Sequence, residues 1–144
     1  MKRTCKRLTA GLLALMLLSS TCLASTASTL PSRHFARTEV WCTAMGNGIL
    51  TVEYDINATE TMDELGVLYV TFYQQQSNGS WAQVMTYDWN NVSGLTESNA
   101  YTTAGRLWYQ GVAGVKYYAE VGCYAKLGSR DATLAQNTSV IPAT

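Results

Sequence analysis

Between residues 40 and 136 several segments alternate apolar and polar positions with a period of two, the pattern of strands that show one face to a core and the other to solvent. Leu50, Val52, Tyr54, Ile56 and Ala58 alternate without a fault against Thr51, Glu53, Asp55, Asn57 and Thr59, which predicts a half-buried strand. Before it, Val40, Cys42 and Ala44 alternate with Trp41 and Thr43, predicting a first strand that ends at the Asn47-Gly48 turn signal. Thr61-x-x-Glu64 has capping-box spacing and precedes Leu65-Gly66, so one helical turn is expected there. Val67 to Gln74 is apolar on both faces at first, as in a central strand, and Ser77-Asn78-Gly79-Ser80 reads as a hairpin into Trp81 to Tyr87. Asp88 to Asn99 has loop composition, and Tyr101 to Gln110 resumes as strand. Tyr117, Ala119, Val121, Cys123 and Ala125 alternate with Tyr118, Glu120, Gly122 and Tyr124, and Leu127-Gly128-Ser129 turns the chain into a last strand near Arg130 to Gln136. No segment of helix length carries a 3.6-residue period.

About seven short strands with turn signals between them predict an all-β fold, an antiparallel sandwich in a single domain over residues 38–144. Residues 25–37 are rich in Ser and Thr, carry Pro31 and show no periodicity, so 28–37 is expected to be a mobile lead-in. Residues 1–27 read as a signal peptide: Lys2, Arg3, Lys6 and Arg7 precede an 11-residue apolar run from Leu8 to Leu18, and cleavage is expected after Ala24 or Ala27. That run would span about 16 Å as a helix, too short to stay in a bilayer. Ser19 and Thr21 stand where a lipoprotein signal would place Leu and a small Gly or Ala before Cys22, so lipidation is not expected. The chain that remains carries six Lys and Arg against ten Asp and Glu, a net charge of −4, which argues against nucleic acid as a partner. No other apolar stretch approaches membrane-spanning length, so no stable membrane insertion is expected after cleavage and the location implied is extracellular.

Gly111-Val-Ala-Gly114-Val-Lys-Tyr117-Tyr118-Ala-Glu-Val121-Gly-Cys123 resembles the turn and penultimate strand of immunoglobulin-like and fibronectin type III-like domains. The resemblance implies that Tyr117 or Tyr118 ties the turn to the strand. It departs from true immunoglobulin domains in placing Cys42 on the first strand and in having no Trp within Val67 to Gln74. Gly48-x-Leu50, Ala58-Thr59, Met62, Leu65-Gly66-Val67, Trp81 and Gly111-x-x-Gly114-x-x-Tyr117-Tyr118-Ala119 are similar to a pattern shared by small exported β-sandwich proteins of Gram-positive bacteria, a likeness that implies fold and export only. Cys42 and Cys123 fall on the apolar faces of their strands, and in an oxidising compartment two such cysteines are expected to pair; two buried thiols are the other outcome. A bond closing a loop of about 80 residues would add about 4–5 kcal/mol in the chain-entropy model. Redox catalysis would need a C-x-x-C, which is absent.

No catalytic residues, metal ligands or cofactor are expected, and the chain does not read as an enzyme. His34, the sole histidine, lies in the lead-in, where it cannot be held beside a nucleophile, and one His with two Cys falls short of a zinc site. Asp55, Asn57, Glu60 and Asp63 are oxygen donors that a calcium ion would need to converge, but no D-x-D-x-D-G loop is present and solvated positions account for them. Four N-x-S/T sequons, at Asn57, Asn78, Asn91 and Asn137, are what chance gives in a chain rich in these residues. The four Trp and nine Tyr are more informative. Trp41 is in phase with Glu39 and Thr43, Trp108 with Arg106 and Gln110, and Tyr73 with Thr71 and Gln75, so these rings should face outward. In an immunoglobulin-like topology Trp41, Glu53, Asp55, Arg106 and Trp108 come together on one outer face, a site for a glycan or an extracellular protein. The expectation is a secreted, non-catalytic binding module. A secreted hydrolase-related factor and a structural, cell-envelope-associated protein are the alternatives, and cover by the lead-in, a loop or a second copy is the plainer fate of the exposed rings.

Overall fold

Twenty-seven consecutive residues, Ile49–Gln75, form one strand, β2, and every other element is arranged on it. The computed structural model describes residues 33–144, so the expected signal peptide and its cleavage positions lie outside the described residues. The remaining strands are β1 (Phe35–Gly46), β3 (Trp81–Asp88), β4 (Thr96–Gln110), β5 (Lys116–Leu127), β6 (Arg130–Asn137) and the two-residue β7 (Ile141–Pro142). All pairings are antiparallel and join the seven strands into one sheet. Among the described residues no helix is long and apolar enough to cross a membrane.

The first half of β2 lies between β1 and β4, and its second half between β5 on one edge and the start of β4 followed by β3 on the other. Irregular registers at Asn57/Met62 against β4 and at Val67/Tyr69 against β5 bend the strand, as bulges do, and the sheet curls around it. Leu50, Val52, Tyr54, Ile56 and Ala58 of the first half then share one core with Met62, Leu65, Val67, Val70 and Phe72 of the second. The stacking of Phe72 on Tyr109, 5.1 Å between ring centroids, joins the second half of β2 to the strand beside its first half.

Four sequence expectations are revised here. The helical turn at Thr61–Glu64 does not form, and residues 59–64 stay extended within β2. A cap is worth about 1 kcal/mol, whereas burying Met62 and Leu65 returns about 2 kcal/mol each, and both are wholly enclosed in the strand. Glu64 accepts instead from Thr96 Oγ1 at 2.9 Å. The loop from Asp88 ends early, because Thr96–Ala100 already pairs with Met62–Gly66. The first strand, expected from Val40, begins at Phe35, inside the expected lead-in: Phe35 is buried, and the Thr59 amide donates to the His34 carbonyl at 3.0 Å. Finally, Cys42 and Cys123 are free thiols and the expected disulfide is not formed. Alternation places both on the apolar side, and there each packs beside its own cross-strand partners, Cys42 opposite Val52 and Cys123 opposite Val67 and Leu134.

The turn before β5 is tied as expected, by Tyr117 and not Tyr118. The Tyr117 ring is fully buried, its hydroxyl accepts from the Val112 amide at 2.9 Å and donates to Gln74 Oε1 at 3.2 Å.

Candidate functional site

Alternation along β2 sends Leu50, Val52, Tyr54 and Ile56 into the core and Thr51, Glu53, Asp55 and Asn57 to the outer face. Because β1 and β4 flank this half of β2, cross-strand register sets three residues abreast at each level. Trp41, Glu53 and Arg106 form one such row, Glu39, Asp55 and Ala104 the next, and Thr43, Thr51 and Trp108 the row on the other side. The five residues named from the sequence, Trp41, Glu53, Asp55, Arg106 and Trp108, therefore share one face of three neighbouring strands.

Glu53 organises that face. Its Oε2 accepts from Trp41 Nε1 at 2.8 Å, and its Oε1 forms an ion pair with the Arg106 guanidinium. Both carboxylate oxygens are thus engaged, and one acid fixes an indole edge on one side and a guanidinium on the other. Asp55 accepts from Asn57 Nδ2 at 3.0 Å, and Arg37 pairs with Glu39 at the rim. The charges are nearly balanced within the face itself. Trp41 and Trp108 are 39% and 63% exposed, so neither ring belongs to the core. A shallow pocket of 340 Å³ lies between Trp41, Glu53, Asp55 and Arg106, with Tyr54, Ala104 and Gly105 completing its lining. Gly105 is required there, since a Cβ would meet the Tyr54 hydroxyl at 2.2 Å.

The sequence reading missed Thr51. Its side chain is 5% exposed on the outer face, between Thr43 and Trp108, and its hydroxyl has no hydrogen-bond partner. It also placed Tyr73 outward without the partners that make it a second aromatic group on the outer face of the other half of β2. Tyr73 and Tyr118 stack with centroids 4.8 Å apart, Trp81 meets Tyr118 edge-on at 4.8 Å, and the Tyr69 hydroxyl donates to Glu120 at 2.9 Å. Burial, followed by the Glu120 contact, pushes the Tyr69 phenol up to about 12. The signal for this group was present in the phase of Tyr118, Glu120 and Tyr124 opposite to the buried Tyr117, Ala119 and Val121.

A hollow of 980 Å³ lies elsewhere, among Arg33, His34, Glu60, Asp63 and the β5–β6 turn at Gly128 to Arg130. Asp63 is occupied there in accepting the Gly128 amide. The acids considered as calcium donors are dispersed between this hollow and the Trp41 face, and among the described residues no group of three or more His, Cys, Asp or Glu gathers where an ion would sit.

No protein family matches the chain, and no curated protein matches it. Among solved structures it is similar to one determined in solution and named a "putative late embryogenesis abundant (LEA) protein", with 10% sequence identity and a TM-score of 0.45, over 83% of this chain and 75% of that one. A likeness of that degree assigns neither ligand nor activity.

Proposed function

We propose that the chain is an exported, non-catalytic binding module of immunoglobulin-like or fibronectin type III-like architecture that takes a glycan on the outer face of β1, β2 and β4. The observation that carries this reading is the row Trp41–Glu53–Arg106, in which one carboxylate holds an exposed indole and an exposed guanidinium in place beside a second exposed indole, Trp108. Flat apolar rings cover the C–H face of a sugar, and the polar groups between them meet its hydroxyls. Groups held by each other before the ligand arrives lose little freedom on binding. The Tyr117 tie to Val112 supports the architecture, and the charge of the mature chain and its N-terminal leader support export without a nucleic-acid partner.

The test is a panel of neutral hexasaccharides of glucose, xylose, mannose and N-acetylglucosamine, followed by tryptophan fluorescence and calorimetry. At least one should bind, and replacing Trp41 and Trp108 together with Ala should weaken it by about 2 kcal/mol or more, roughly thirtyfold. Because both rings stand outside the core, the thermal midpoint should hardly move. A double variant that binds as the parent does, or a panel with no ligand, would overturn the reading. Release of shorter sugars from the panel would replace it with the hydrolase alternative.

A further inference from the structure

Thr51 sits at a position where a hydroxyl ordinarily faces water, and yet its oxygen is enclosed and bonded to nothing. Buried hydroxyls are nearly always satisfied, because an unpaired one keeps its desolvation cost with no return. Its neighbours explain the enclosure. Thr43 and Trp108 stand directly opposite it across the strands, and Trp41 lies diagonal to it, one row along. Cross-strand neighbours of this kind are within side-chain reach, and an indole is wide enough to screen the position between them. Trp108 is itself the most exposed large side chain of the face, and its strand is held by the Tyr87 hydroxyl donating to the Trp108 carbonyl at 2.9 Å, a contact that leaves the ring unconstrained.

Strand spacing sets the scale. Trp41 and Trp108 are two strands apart and two residues offset, which places their Cα atoms about 12 Å apart, wider than one sugar ring. The charges beside them close on each other, Arg106 on Glu53; beyond the Trp41 row Arg37 pairs with Glu39, and Asp55 accepts from a neutral amide. Beside the two rings Glu53 and Arg106 thus cancel each other, Asp55 keeps its charge one row further off, and a neutral polyhydroxyl chain needs no countercharge.

We infer that the face binds a neutral oligosaccharide of two or more rings laid diagonally across β1, β2 and β4, one ring on each indole, with Trp108 turning aside so that a sugar hydroxyl becomes the missing partner of Thr51. This rests on the glycan reading above and adds to it the length of the ligand, its charge and the residue that reads it. Binding returns the hydrogen bond that the free protein forgoes, and the effect is local to one oxygen.

The experiment takes the panel member that binds and compares its mono-, di-, tri- and hexasaccharides on the full mature chain, with Thr51→Val and Thr51→Ser alongside. Affinity should rise at least tenfold between the monosaccharide and the trisaccharide and then level off. Thr51→Val should weaken the trisaccharide about fivefold or more while its thermal midpoint stays level or rises, since an unpaired buried hydroxyl has been removed. Thr51→Ser, which keeps the oxygen, should bind within about twofold of the parent and so separates loss of the hydroxyl from loss of fold. A monosaccharide that binds as tightly as the trisaccharide, or a folded Thr51→Val that binds as the parent does, overturns the inference. If either occurs while the Trp41 and Trp108 double variant still loses binding, the glycan reading stands without it. If that double variant binds normally, both fall.

Discussion

Cys123 is fully enclosed in the core and Cys42 half-buried beside it, and burial pushes their thiols up to about 12 and about 11. Both values lie above those of the unfolded chain, so the thiols favour the fold fully below about pH 9. Above that the unfolded chain releases protons that the folded one keeps, and stability falls as pH rises towards the folded values. Tyr69, pushed up to about 12, acts in the same direction. Thermal melts should therefore show a midpoint that drops steadily from about pH 9 to pH 12. A variant with both cysteines changed to Ala should fall less steeply, whatever its starting midpoint, and equal slopes would contradict this account. The free thiols also mark what alternation can and cannot tell. Period two placed Cys42 and Cys123 inward, and Trp41, Glu53, Arg106 and Trp108 outward, because phase depends only on the residue's own strand. Pairing of the cysteines depends on register between strands, which no single strand's pattern contains. Thr51 was illegible for a related reason: its sequence phase matches that of Glu53, and only its neighbours on the flanking strands, Thr43 and Trp108, make its hydroxyl differ.

At the level of the element, the capping-box spacing of Thr61 and Glu64 is a local signal for a turn that carries nothing about neighbouring strands. β4 and β5 both run alongside residues 64–66, and the hydrogen bonds they supply on two edges outweigh a single cap. Gly66 is where that crowding is greatest. A Cβ there would meet the Leu95 carbonyl oxygen at 2.1 Å and the Thr96 Cα at 2.6 Å, both backbone atoms that cannot move aside alone. The next amide, Val67, donates to the same Leu95 carbonyl at 2.8 Å. Gly66→Ala should accordingly cost about 2–3 kcal/mol in denaturant titrations, as overpacking does. Thr61→Ala, on an exposed position with no cap to lose, should stay within about 0.5 kcal/mol of the parent. A loss near 1 kcal/mol at Thr61 together with a tolerated Gly66→Ala would restore the helical turn.

At the scale of the whole molecule the all-β, antiparallel character was legible, since it follows from alternation and turn residues, whereas the strand inventory was not: two expected strands are the single β2, and the two-residue β7 at Ile141–Pro142 carries no alternation to announce it. The curl was not legible either, because it comes from irregular pairing at Asn57/Met62 and Val67/Tyr69, and two stretches that read as separate strands are one. That single strand has a consequence for how the protein comes apart. Val52 and Ile56 belong to one half of the curl and Val70 and Phe72 to the other, yet all four lie on the same 27 residues and in the same core. Neither half retains a complete set of neighbours if the other opens, so partial opening has little to recommend it over full unfolding. Native-state hydrogen exchange should find the amides of these four residues released together, with one opening free energy equal to that of global unfolding and one dependence on denaturant; two separate values would show two independent units. The same chain geometry sets the order of assembly: distant segments must find β2 before any part of the core closes, which places folding on the millisecond-to-second scale typical of non-local β-topologies. A protease that cuts within residues 59–61 would then leave not a smaller domain but two unfolded fragments.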